Sequence, residues 1–244
     1  MAVSNRIGAL IYRLVAVCLI AAGLVRLVGL FDGGFSGGAF VFYTTQSNVL
    51  SLIWMATMAA MTAWAIVRDG PRGSCAPAPR LGATAMMAIT VTMIVYLVVL
   101  APAAFQQDSD YRPFTLTDDL IHIITPCLVI ADWFAFSPKG RLRLFDPVLW
   151  AGPPYAYLAF VFIWAATGHD FGEGRSYPYS FVDVDAHGVG GVAVQIGVLS
   201  VALIGFGYGY LAADRALARA ARRRAAQVAQ AAEVAGVQPE PEGR

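Results

Sequence analysis

The chain has 244 residues, 58% of them hydrophobic and only 14% charged, with a mean hydropathy of +0.61. Soluble domains average about 45–50% apolar and about 25% charged residues, so this composition excludes an ordinary soluble class and fits a multi-pass membrane protein. The formal net charge of +1 says nothing about partners, because acidic and basic residues are segregated along the chain.

Six apolar spans are predicted at about 8–30, 40–66, 82–104, 118–136, 147–167 and 189–212, each near the roughly 20 residues that a helix needs to cross hydrocarbon. They define an all-α fold: a six-transmembrane-helix bundle over residues 1–212, then a basic cytoplasmic helix and a disordered tail over 213–244. The first span is too long for a signal peptide, carries Arg13 and Arg26 and lacks a small-residue cleavage site, so it is expected to stay attached. The second opens on Tyr43-Thr44-Thr45-Gln46-Ser47-Asn48, a polar cluster at the mouth of a hydrocarbon segment. Thr44, Ser47, Asn48 and Ser51 stand at i, i+3, i+4 and i+7 and share one helix face, which must look into the bundle because lipid cannot satisfy it. The competing reading is small hydroxyl residues that let helices pack closely.

The fourth span begins Leu116-Thr117-Asp118-Asp119-Leu120-Ile121-His122, with Thr125 and Pro126 following. Asp118 lies four residues before His122 and Thr125 three after, so a carboxylate and a hydroxyl share the imidazole's face. The bland alternative is that Asp118 only caps the helix and His122 only bonds a neighbour. Before the sixth span runs Tyr177-Pro178-Tyr179-Ser180-Phe181-Val182-Asp183-Val184-Asp185-Ala186-His187, whose tyrosines fit an interfacial aromatic belt.

Thirteen of the seventeen Lys and Arg fall in the N-terminus, the second and fourth loops and the tail, which predicts that both ends are cytoplasmic. The opposite loops carry Asp32, Asp108, Asp110, Asp170, Glu173, Asp183 and Asp185, giving an acidic outer face together with Asp118 and Asp119. Arginines of the tail suit anionic headgroups, and no nucleic-acid partner is expected. Cys18, Cys75 and Cys127 show no pairing pattern, and no phosphate loop, zinc-finger spacing or GxSxG elbow occurs. No cofactor is assigned. A metal held by His122, His187 and Asp183 or Asp185 is a weak alternative, since that spacing is no recognised ligand motif.

The second and fourth spans both descend from the outer face, and at ~1.5 Å per residue Thr44 and His122 come to one depth, roughly 6 Å below the boundary. A hydroxyl, an imidazole and a carboxylate that fixes its tautomer are the parts of an activated nucleophile. In those stretches the chain resembles the bacterial six-pass membrane proteins related to the androgen-induced protein family. Animal members of that family are threonine hydrolases that cleave fatty acid esters of hydroxy fatty acids. The resemblance implies Thr44, with Thr45 beside it as the other register, as nucleophile and His122, followed four residues later by Pro126, as base. The expected function is therefore a hydrolase of lipid esters at the outer leaflet, with the bilayer and an amphiphilic ester as partners. Asp118 or Asp119 would orient the imidazole, Gln46 or Asn48 would donate to the oxyanion, and Ser47 would support the same face. The rival readings are a transporter or lipid-binding protein whose polar path continues past Ser51 toward Asp132, and a scaffold packing through Gly-rich helices.

Overall fold

The computed structural model describes residues 4–106, 113–172 and 174–234. Asp108, Asp110, Arg112 and Glu173 of the expected outer loops, the side chain of Asp32 and the tail beyond residue 234 lie outside that description. Among the described residues there is no β-strand, and six helices are long and apolar enough to cross a membrane. These are α1 (Arg6–Leu27), α2 (Tyr43–Asp69), α3 (Pro79–Phe105), α4 (Leu116–Phe136), α5 (Asp146–Ala166) and α6 (Val184–Ala231). Each lies within a few residues of its predicted span, except that α6 runs on through the basic segment. The sixth span and the expected Arg215 helix form one continuous helix, which bends at Gly188 (φ 66°). No Gly or Pro stands between residues 210 and 234, and the Ala- and Arg-rich sequence there has high helix propensity, so nothing stops the helix.

Helices α1 to α4 form the packed core, which Ala16, Ile20, Met55, Met86, Ile89, Val129 and Trp133 fill. Helices α5 and α6 are peripheral, with long lipid-type faces such as Val189, Val194, Val198 and Val201 exposed. Close approach of α1 to α4 depends on Gly23, where an added Cβ would stand 3.2 Å from the side chains of Leu120 and Ile121.

The basic end of the bundle is held by charges that satisfy one another. Arg13 is fully buried, and its Nε donates to Asp132 Oδ1 at 2.7 Å and its Nη2 to Oδ2 at 3.2 Å. Its Nη1 donates to Thr62 Oγ1 at 2.6 Å and the Cys75 carbonyl at 2.7 Å, tying α1, α2, α4 and the second loop together. Arg6 closes the same loop, donating to the carbonyls of Ala65, Gly70 and Ser74. Just past the same end of α4, buried Asp214 of α6 accepts the amides of Gly140 and Leu142. Lys139 caps the C-terminus of α4 by donating to the carbonyls of Trp133 (2.6 Å) and Ser137 (2.8 Å), and burial lowers its ammonium to about 8.

Removing one member of a buried ion pair strands the other, at a cost of about 3–5 kcal/mol. Arg13→Met is therefore expected to lower the thermal unfolding midpoint in detergent sharply, and Arg13→Met with Asp132→Leu to recover most of the loss.

Candidate active site

The turns of α3 and α4 farthest from the basic end of the bundle are not ordinary α-helix. Residues Tyr96–Leu100 and Leu120–Ile124 each form a π turn. Both are followed by one residue and then a proline, Pro102 and Pro126. In α4 the Thr125 amide donates to the Leu120 carbonyl, five residues back, so the next carbonyl in that register is Ile121, whose donor would be the N–H that Pro126 lacks. That carbonyl is taken instead by Asn48, whose Nδ2 donates to it at 3.0 Å and to the Thr44 carbonyl at 2.8 Å. A proline-induced vacancy in α4 is thus filled from the polar face of α2, and this contact fixes the two helices in register.

The register brings the two predicted residues together. Thr44 Oγ1 lies 3.4 Å from Nε2 of His122, 78 residues on in the chain. Helix α2 starts at Tyr43, later than expected, so Thr44 sits in its first turn, where the backbone amides have no intrahelical acceptor and no side chain of Phe42 caps them. Of the two adjacent threonines, Thr45 is buried away from the cleft, and Thr44 alone both reaches His122 and lines it.

The imidazole is held on three sides. Its ring stacks on Tyr96 with centroids 4.0 Å apart and planes within 7°. Tyr96 is itself fully buried, and its hydroxyl accepts the Phe114 amide at 2.9 Å, at a residue in the left-handed region (φ 64°). A bulky residue there costs of order 1–3 kcal/mol, which the surrounding contacts must offset. Nδ1 of His122 has no hydrogen-bond partner among the described residues, and Asp118 Oδ1 stands 3.8 Å from it. Asp118 caps the helix, its Oδ2 accepting from Thr115 Oγ1 (2.7 Å) and the Thr115 amide in a capping box, while Oδ1 faces the imidazole. Asp119 makes no ionic approach of that kind among the described residues.

The remaining polar residues of the second span divide. Ser47 donates to the Thr44 carbonyl at 3.0 Å and shares a 2.6 Å hydrogen bond with Thr92 Oγ1, linking α2 to α3. Gln46 is exposed and its Nε2 donates to the Phe40 carbonyl, away from Thr44, and both Asn48 N–H groups are committed to carbonyls. Neither amide is therefore placed to donate to an oxyanion, contrary to expectation. His187 is exposed while His122 is buried, and no cluster of three His, Cys, Asp or Glu occurs among the described residues.

Thr44 opens onto a cleft between α3, α5 and α6. Its walls are apolar, among them Val91, Val95, Trp150, Leu199 and Leu203, and along α3 it runs from Met87 to Leu100, about 20 Å at the helical rise. The chain between α5 and α6 folds over the end nearest Thr44: Phe171 and Val182 are buried against Tyr157 and Val161, with Phe42, Tyr43 and Tyr179 packed on them. Tyr179 lines the cleft beside Thr44, and its hydroxyl lies within reach of the Thr44 hydroxyl, the Tyr157 hydroxyl and the first amides of α2.

Tyr96 and Tyr179 were the residues missing from the reading of the sequence. A tyrosine inside an apolar span, six residues ahead of a proline as Leu120 is ahead of Pro126, was the available signal for the first. For the second there was none beyond its place in an aromatic run. No protein family, curated protein or solved structure matches this chain.

Leaving the Ile121 carbonyl without its donor costs about 1–3 kcal/mol. Asn48→Ala is expected to lower the unfolding midpoint accordingly, whereas Gln46→Ala, on the exposed side of the same turn, should leave it unchanged.

Proposed function

We propose that this protein is a membrane-embedded threonine hydrolase of amphiphilic esters, of the fatty acid ester of hydroxy fatty acid type. The observation that carries the reading is the Thr44 hydroxyl 3.4 Å from His122 Nε2 at the end of a long apolar cleft. A cleft of about 20 Å exceeds half of the ~30 Å hydrocarbon thickness, so one lipid acyl chain fits its length with the ester at Thr44. The resemblance of these residues to the androgen-induced protein family supports the same reading.

In the proposed reaction Thr44 Oγ1 bonds to the ester carbonyl carbon, the carbonyl π pair moves onto oxygen, and the hydroxyl proton passes to Nε2 of His122. Collapse re-forms the carbonyl and breaks the bond to the alcohol oxygen, which takes the proton back from His122. Water then attacks the acyl-threonine, gives a proton to His122, and releases the fatty acid as Thr44 regains its hydrogen. Nε2 must be unprotonated to begin, so Nδ1 carries the hydrogen and faces Asp118, whose negative charge steadies the imidazolium formed in each step. Catalytic contacts of 3.4 and 3.8 Å tighten when substrate fills the site.

The transporter reading has less support. Along the inward face of α2, Ser51 is followed by buried Met55 and Met58 before Thr62, and Asp132 is consumed by Arg13. We also infer that the arginine-rich end faces the cytoplasm, which places the site at the outer leaflet of the cell membrane.

Purified protein in detergent is expected to label with an alkyl fluorophosphonate and to turn over medium-chain esters. Thr44→Ala should abolish both, and His122→Ala should slow both by about 10²–10⁴-fold. Undiminished labelling in both variants overturns the mechanism, and saturable ligand binding without any adduct favours a binding protein. A fluorescent protein fused to the C-terminus should be bright, and alkaline phosphatase at the same place inactive.

A further inference from the structure

Attack on an ester puts a negative charge on the carbonyl oxygen, and in a site screened from water that charge needs a donor aimed at it. The donors nearest Thr44 in sequence are spent or turned away. Gln46 bonds the Phe40 carbonyl, Asn48 bonds two carbonyls, and the Ser47 hydroxyl is shared with the Thr44 carbonyl and Thr92. His122 approaches Thr44 from the bundle core and is not part of the cleft wall, whereas Tyr179 is part of that wall and faces the same hydroxyl. A carbonyl entering along the cleft therefore meets Tyr179 together with Thr44, on a wall to which the base does not contribute.

We propose that the phenol of Tyr179 is the oxyanion donor of this site. The inference rests on the hydrolase reading and adds to it a residue from the loop before α6. The first turn of α2, at Tyr43 and Thr44, lies against Tyr179 and turns its positive end toward the phenol. Burial raises the Tyr179 hydroxyl above the usual tyrosine value, against the opposing pull of its hydrogen-bonding neighbours, so the group holds its proton through the neutral range. No proton leaves Tyr179 during the cycle. It donates to the oxygen as the Thr44 to carbon bond forms and relaxes when the bond to the alcohol breaks. Its ring, stacked on Phe181 with centroids 5.3 Å apart, holds the hydroxyl in place.

The test compares full-length wild type, Tyr179→Phe, Tyr179→His and Thr44→Ala with a medium-chain p-nitrophenyl ester. An alkyl trifluoromethyl ketone, which forms a tetrahedral oxyanion adduct, and the corresponding alcohol, which does not, serve as inhibitors. Tyr179→Phe removes one oxygen atom and leaves the ring, so folding is checked by the unfolding midpoint. Its kcat is expected to fall about 10²–10³-fold with little change in KM, and ketone affinity to fall in parallel while alcohol affinity holds. Tyr179→His, which restores an N–H donor, should recover part of kcat. An unchanged kcat in Tyr179→Phe with Thr44→Ala inactive overturns this role and leaves the hydrolase reading standing. A loss confined to KM, or equal weakening of both inhibitors, shows a packing role and overturns it as well. Turnover persisting in Thr44→Ala overturns both.

Discussion

The amide of Asn48 and the carbonyl of Ile121, 3.0 Å apart, hold the Thr44 end of this molecule in register. Hydrocarbon offers no water to an unpaired carbonyl, so a proline in a membrane helix obliges a neighbour to supply the missing donor. Here the neighbour is the polar face of α2, and the turn ahead of Pro126 widens to present the carbonyl to it. The same hydrogen bond brings Thr44 level with His122, because Asn48 follows Thr44 by one helical turn and Ile121 adjoins His122. Gly23 lets α1 close against this turn, and the Tyr96 ring fixes the imidazole plane from α3. The geometry of the site is therefore a by-product of satisfying one backbone group.

A second constraint explains why a cleft persists beside such a closely packed core. In lipid, burying apolar surface between helices gains little, since acyl chains already surround it, and association depends on close fit and polar contacts. Helices α1 to α4 have such contacts, from Arg13 with Asp132 to Ser47 with Thr92. Helices α5 and α6 meet the rest mainly at their ends, where Asp146 takes Arg80, Tyr210 bonds Thr90, and the aromatic loop folds over Tyr43. Between those ends the walls are mainly apolar, and a hydrogen bond from Tyr155 to Ser200 joins α5 to α6. The proposed ester hydrolysis uses both features, a rigid polar corner and an apolar approach to it.

Much of the fold was legible before any coordinates. Span lengths follow from bilayer thickness, and the burial of Ser47, Asn48 and Ser51 followed from a helical spacing that puts them on one face. The meeting of Thr44 and His122 was also foreseen, because two helices descending from one surface bring residues at equal depth to one layer. The assignments of Gln46 and Asn48 as oxyanion donors did not hold, since sequence spacing shows which face a side chain is on but not which acceptor has already claimed it. The continuation of α6 through the basic segment follows from a backbone that meets no breaker there, whereas composition marks a boundary only in charge.

The sequence by itself determined the number of helices, their order and which residues must avoid lipid, all consequences of local composition and a 3.6-residue period acting in a medium without water. Tertiary structure decided which of two adjacent threonines faces the histidine, that Asp118 rather than Asp119 lies against the imidazole, and that Tyr96 and Tyr179 complete the corner. Those choices turn on rotations of a fraction of a helical turn. They are set by a proline's missing hydrogen, a glycine's missing methyl and the path of a loop, contacts made between segments that are distant in the chain.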